Sequence, residues 1–224
     1  MTKKLKNKKA IIIGGSRGIG REIAKKLKFS CANIHALSSK NLDTSNLESV
    51  KNFNKKHKST DILILNSGGP PNIPFGQIDE KIWYKYFNQL FLGYCLILKN
   101  IKINKNGYIF YISSSMIKEP NENLVISTSL RTAFSSILKS LSKIYSSRKI
   151  SVINIAPGPF KTGRVKELIG DKNKLRKYEK MLPTKKIGNP EEIGAFVNFI
   201  IENDIKYISG STIYMDGNLT NSFL

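Results

Sequence analysis

Six short apolar runs rich in β-branched residues, at positions 10–13, 34–37, 62–65, 108–112, 151–155 and 212–215, are separated by longer amphipathic segments. A strand that is apolar throughout must be covered on both faces, and helical patterns between such strands supply the cover. The alternation therefore predicts a doubly wound α/β fold: a parallel sheet between two helical layers. Helices are predicted over residues 18–28, 45–57, 79–99, 127–147, 163–180 and 190–203. The last opens with Asn189 as N-cap, Pro190 at the first helical position, and Glu191 and Glu192 beside the positive end of the helix. One connection is unusually short: between Leu37 and Leu42 the chain passes almost directly from the second strand to a third, where this architecture spends a helix. No repeat or low-complexity linker interrupts the pattern, so one domain over residues 1–224 is expected.

The first run ends in Gly14-Gly15-Ser16-Arg17-Gly18-Ile19-Gly20 and an amphipathic segment follows. Glycines let the backbone turn sharply and approach a pyrophosphate, which the free N–H groups and dipole of the helix start then neutralise. Taken alone, such a turn is moderately specific, its alternative being a purely structural strand-to-helix connection. A formal charge of +21 invites a polyanionic partner. Against that, the lysines are spread along the whole chain, and arginine is confined to Arg17, Arg21, Arg131, Arg148, Arg164 and Arg176. Heavy use of Lys, Asn and Ile reads as composition bias with solvated lysines, so neither nucleic acid nor a membrane is expected as a partner. Cys31 and Cys95 show neither disulfide nor zinc spacing, so no metal site is expected. The basic run at 3–9 precedes an apolar stretch of only 10–13, too short for a signal segment or a membrane span, and a cytoplasmic location is expected.

In order along the chain, Gly14, Gly18 and Gly20, then Asn66-Ser67-Gly68, then Pro157-Gly158 with Thr162, then Tyr207-Ile208-Ser209-Gly210 and Asp216-Gly217 resemble the successive motifs of the short-chain dehydrogenase/reductase family. The resemblance spans almost the full length. It implies a Rossmann-type sheet, a nicotinamide dinucleotide, and oxidoreduction of a carbonyl/alcohol pair. It also implies cofactor contacts from Gly14, Ser16, Arg17, Gly18, Ile19 and Gly20 in the first turn, and from Asp43 beside the adenine. Asn66, Ser67 and Gly68 would close the fourth strand, and Pro157, Gly158 and Thr162 would follow the sixth, with Thr162 at the carboxamide. Arg17 together with Ser38, Ser39 and Lys40, and no acid at the end of the second strand, suits a 2′-phosphate, so NADP is expected to be preferred and NAD stays possible. Residues 38–40 read alternatively as a solvated turn.

Members of the family carry an Asn, Ser, Tyr, Lys tetrad. Ser114, flanked by Ser113 and Ser115, matches the Ser; the Tyr position falls on Ser127, the Lys position on Arg131, and the Asn position on Leu90. A Tyr145–Lys149 pair has the right spacing but sits too far down the helix. A serine hydroxyl is far less acidic than a phenol, whose pKa is about 10, and arginine cannot relay a proton. Ser114 is therefore expected to polarise the substrate oxygen, Arg131 to orient the ribose and supply charge, and Ser127 to add a hydrogen bond. Asn66-Ser67-Gly68-Gly69-Pro70-Pro71 with Ser127 and Arg131 resembles a divergent group of the family, similar to β-ketoacyl-ACP reductases, that lacks the standard tetrad. Residues 68–71 read either as a rebuilt pocket floor or as a stiff surface loop.

The substrate implied is a small or acyl-carrier-bound carbonyl compound. A Lys-rich lid is expected at about 163–182, where Arg164, Lys166, Lys172, Lys174 and Arg176 either attract an anionic substrate or are simply solvated. The 79–99 and 127–147 segments are apolar on more than one face, as in Trp83, Phe87, Leu90, Phe91 and Tyr94, and the resemblance implies that these helices pair across subunits of a homo-oligomer, a dimer or tetramer. Two other readings stay open: a non-catalytic dinucleotide-binding sensor or subunit, and nucleic-acid binding through the lysines.

Overall fold

A computed structural model describes residues 7–31 and 33–223, with the side chain of Lys166 excepted. Most of the basic run at 3–9 lies outside the described residues. The strands are β1 (Lys9–Ile12), β2 (Asn33–Ala36), β3 (Ser59–Leu65), β4 (Lys102–Ile112), β5 (Ser151–Pro157) and β6 (Thr212–Met215). They form one sheet in the order β2-β1-β3-β4-β5-β6, every pair parallel. The order reverses between β1 and β3, and in such sheets the crevice beyond the strand ends at that switch point is where ligands bind.

Side chains along the inner strands alternate between two cores. Ile12, Ile64, Phe110 and Ile155 pack against α1 (Gly18–Leu27) and α8 (Pro190–Glu202), through Ile23, Leu27, Ile193 and Val197. Ile11, Leu63, Ile109 and Val152 face the other way, against α2 (Leu47–Lys56), α4 (Gly93–Asn100) and α5 (Val125–Ser146), through Val50, Phe53, Tyr94, Ile97 and Phe134. The sheet is thus covered on both faces, as the apolar runs predict. α8 begins as its sequence dictates, with Pro190 at its start and the Asn189 N–H donating to Glu192 Oε1 at 3.3 Å. Among the described residues no helix is long and apolar enough to cross a membrane.

Three expectations are corrected. No strand forms at Leu42: its side chain is buried in the second core, residues 37–46 form turns, and Asn46 caps α2 by accepting from the Glu48 and Ser49 amides. Asn66 therefore closes the third strand, and Pro157 closes the fifth of six. The helix expected over 79–99 is α3 (Glu80–Phe87), a π-helical turn at Asn88–Leu92, and α4. A side chain at Gly93 would meet the Thr44 carbonyl oxygen at 2.6 Å, so glycine lets the helix lie against that turn. The Thr44 hydroxyl donates to the Gln89 carbonyl at 3.0 Å. The segment expected at 163–180 is two helices, α6 (Gly163–Ile169) and α7 (Lys172–Met181), broken at Gly170, whose φ is +94°, and restarted by Asp171 as N-cap.

Candidate active site

The ends of β1, β3, β4 and β5 open into a cavity of about 1390 Å³, roofed by residues of α6 and α7. At its first wall Gly14 takes φ +64° and Gly18 φ +54°, backbone conformations costly for any other residue. A side chain on Gly14 would meet the Asn66 carbonyl oxygen at 2.5 Å, and Asn66 Nδ2 donates to the Gly14 carbonyl at 3.0 Å. The β1–α1 turn and the end of β3 are thereby locked together. Arg17 occupies the N-cap of α1, and no side chain caps that helix. Its first N–H groups are thus left without side-chain acceptors at the cavity edge. Glycine-built close approach, uncapped amides and a cavity above the usual ~300–1,000 Å³ of ligand sites together fit an extended dinucleotide with room for a substrate.

Of the sequence-expected cofactor residues, Gly14, Ser16, Arg17, Gly18, Ile19, Ser39, Asp43, Asn66, Ser67, Gly68, Pro157, Gly158 and Thr162 line this cavity. Gly20 lies beneath it, in contact distance of the Gly14 carbonyl, so its lack of a side chain serves the packing of α1. Ser38 turns aside, its hydroxyl donating to Asn41 Oδ1 at 2.8 Å. Arg17 is exposed, and its Nη1 stands 3.8 Å from Glu167 on α6.

The structure brings Ser114, Ser127 and Arg131 to one wall. Ser114 follows β4, and its Oγ accepts from the Met116 amide at 3.3 Å. Arg131 is only 5% exposed. Its Nε donates to Ser127 Oγ at 3.2 Å, Nη1 to the Ile112 carbonyl at 3.0 Å, and Nη2 to the Ser67 carbonyl at 3.2 Å. One guanidinium therefore ties the ends of β3 and β4 to α5. Behind it lie Tyr94 and Tyr111, fully buried, with phenols pushed above their ordinary range by burial and partly offset by Arg131. Neither phenol reaches the cavity. Tyr145 lies about 21 Å along α5 from Arg131 at ~1.5 Å per residue, which removes the Tyr145–Lys149 pair from the site.

Spacing places the tetrad Asn at Leu90, but Leu90 is wholly buried with Ile126 and Leu130. The π-helical turn carries one residue more per turn than an α-helix, and it presents the neighbouring Gln89 to the cavity instead. Gln89 Nε2 donates to the Gly68 carbonyl at 2.8 Å. Sequence reasoning also missed Tyr86 and Tyr178, which line the cavity. Burial raises the Tyr178 phenol. Residues 68 and 69 belong to the cavity wall, where Arg164 donates to the Pro70 carbonyl. Among the described residues no group of three or more His, Cys, Asp or Glu side chains could hold a metal ion.

A family model described as enoyl-(acyl carrier protein) reductase matches residues 41–220. The 3-oxoacyl-[acyl-carrier-protein] reductase of Buchnera aphidicola subsp. Baizongia pistaciae is 27% identical over 96% of this chain and 98% of its own length. The L-rhamnose 1-dehydrogenase (NADP(+)) of Thermoplasma acidophilum is 28% identical over 96% of each. A short chain dehydrogenase family protein from Francisella tularensis, 22% identical, shares the fold with a TM-score of 0.85, covering 96% of this chain and 100% of that one. With the family model spanning everything from the Asp43 turn to the loop after β6, the chain belongs to the short-chain dehydrogenase/reductase family.

Proposed function

We propose that this protein is an NADP(H)-dependent oxidoreductase that interconverts a carbonyl compound and its alcohol, similar to 3-oxoacyl-acyl-carrier reductases, with an altered catalytic set. The observation that carries this reading is the convergence of Ser114, Ser127 and Arg131 on the same cavity as the glycine-built turn. The names of the 3-oxoacyl reductase and NADP(+)-linked relatives support it.

When bound, the reduced cofactor supplies the hydride. The Ser114 oxygen already accepts from Met116, which leaves its hydrogen free to donate to a carbonyl oxygen. Ser127, held by Arg131 Nε, offers a second hydroxyl hydrogen in the same way. Negative charge grows on the carbonyl oxygen as the alcohol forms, and the fixed charge of the almost wholly buried Arg131 stabilises it. Three of the five Arg131 N–H groups are engaged on the protein, and of the two left over, one on Nη1 and one on Nη2, one serves the ribose. Neither serine nor arginine is an acid at neutral pH, so the proton comes from water entering the cavity. α6 and α7 act as the lid over this site.

The 2′-phosphate is assigned to Arg17 and Ser39. At a hundredfold excess over its dissociation constant NADPH should stabilise the fold by about 2.7 kcal/mol, read as a melting shift of roughly 5–10 °C. NADH should shift it less at equal concentration, and Arg17→Ala should erase the difference. Equal shifts in the wild type, or a preference that survives Arg17→Ala, would overturn this assignment.

We also propose a homo-oligomer built on α3, α4 and α5. Tyr84 and Ile144 are 62% and 65% exposed on these elements, and Phe87 stacks on Phe91 at 5.3 Å beside them. Sedimentation at micromolar concentration should give a dimer or tetramer; a monomer alone would remove the proposal.

A further inference from the structure

The cavity is bordered by six cationic side chains, Arg17, Lys85, Arg131, Arg164, Lys174 and Lys177, against three carboxylates, Asp43, Glu119 and Glu167. Asp43 and Glu119 are held by neutral groups, whereas Glu167 is paired with two of the six cations. Asp43 Oδ1 accepts from the Ser45 amide and hydroxyl at 2.9 and 2.7 Å. Glu119 Oε1 accepts from the Asn221 amide at 2.6 Å and from the Ser222 amide at 2.5 Å. Glu167 is shared between Arg17 at 3.8 Å and Arg164 at 3.7 Å, on the cofactor side.

At the substrate end, two guanidiniums and a hydroxyl surround one open face of Gly69. A side chain there would find Ser127 Oγ at 3.4 Å, Arg164 Nη2 at 3.6 Å and Arg131 Nη2 at 3.7 Å. Arg131 is almost wholly buried, yet its acceptors are a hydroxyl and two carbonyls, and among the described residues no carboxylate lies within ion-pair distance of it. Burial pulls the Arg164 guanidinium below its ordinary range; Glu167 opposes the shift and the charge of Arg131 adds to it. Two like charges held this close in a half-dry wall are unfavourable until an anion lies between them. Guanidiniums present paired N–H donors that match a carboxylate. Glycine at 69 keeps the approach open.

We propose that Arg131 and Arg164, with Ser127 and the bare face of Gly69, form a subsite for a carboxylate carried by the substrate itself. The compound reduced is then a free oxo acid, not a neutral ketone or a thioester whose acyl end is neutral. The inference rests on the reductase reading above and names its substrate class. Ser114 takes the carbonyl oxygen while the two guanidiniums fix the acid end and thereby the face presented.

The test is calorimetric titration of the NADP⁺-loaded protein with acetoacetate and with ethyl acetoacetate, a pair differing in the charge. Acetoacetate should bind about tenfold more tightly or better, the worth of a hydrogen bond to a charged group. That preference should shrink as salt is raised, fall towards unity in Arg164→Met, and return in part in Arg164→Lys. NADP⁺ titrated into each variant first verifies that it is folded. Equal binding of acid and ester by the wild type, or an acid preference untouched in Arg164→Met, overturns the subsite. NADPH oxidation measured alongside separates the two claims. Acid preference without oxidation of either compound, or of any other carbonyl compound offered, sinks the reductase reading and leaves the subsite standing, whereas oxidation of the ester with the acid rejected does the reverse.

Discussion

Replacing Arg131 with alanine should lower turnover by about a hundredfold or more, the typical worth of a positioned charge-stabilising donor, and should also weaken the fold. Both effects follow from one geometry. In the proposed function the guanidinium supplies positive charge to the reacting oxygen, and the same group satisfies the carbonyls of Ile112 and Ser67 at 3.0 and 3.2 Å. Truncation leaves these acceptors without their donor, at about 1–3 kcal/mol for each one that stays dry. A melting point lower by roughly 5–10 °C is expected for a chain of this length. Arg131→Lys should recover the charge but not the fold, because a single ammonium cannot reproduce a fork that spans two strand ends and Ser127. Thermal melts and NADPH affinity of the two variants check this. A melting point unchanged in Arg131→Ala would show that the β3 and β4 ends do not depend on the guanidinium.

Ser114→Ala should separate chemistry from binding. Its hydroxyl is hydrogen-bonded to the Met116 amide and is assigned to the substrate oxygen, so NADPH affinity should stay within about twofold of wild type. Turnover should fall by at least tenfold, and up to about 10²–10³-fold if Ser114 is the main donor to the oxygen. Ser127→Ala should be milder, since the proposed function makes that hydroxyl an auxiliary donor. Steady-state NADPH oxidation, with affinity measured by fluorescence titration, reads the two quantities apart. Full activity in Ser114→Ala would place the chemistry elsewhere in the cavity, with Gln89, Tyr86 and Tyr178 the next side chains to replace.

Much of the fold was legible because each strand is a compact apolar run and each flanking helix a periodic one. Buried strands such as β3, with Ile62 to Leu65 wholly inaccessible, cannot be anything but the middle of a covered sheet. The Gly14, Gly18 and Gly20 turn was legible for a similar reason, since positive φ and close backbone approach leave few residue choices. The π-helical turn at Asn88–Leu92 was not. A wider turn changes which side chains face the cavity without any local signal in the sequence, so counting residues gave Leu90, which is buried, while Gln89 lines the cavity. The α6–α7 break had readable signals in Gly170 and Asp171, but the Lys-rich periodicity around them masked the stop. The missing third strand was legible only as a short connection; that Leu42 becomes a core plug depends on contacts distant in sequence. Arg131 was identified by spacing, yet its partners are backbone carbonyls of Ile112 and Ser67, which no local pattern announces.

The most direct test of the central claim is the loss of NADPH absorbance with wild-type protein at high enzyme concentration, over a panel of 3-oxo acids, 3-oxo esters and simple ketones. NADPH binding is measured on the same sample. The proposed function predicts firm NADPH binding together with oxidation by at least one carbonyl compound, slow beside enzymes that keep the Tyr and Lys, and sharply reduced in Ser114→Ala. Firm binding with no oxidation by any member of the panel would contradict it, and would make this chain a dinucleotide-binding protein without turnover.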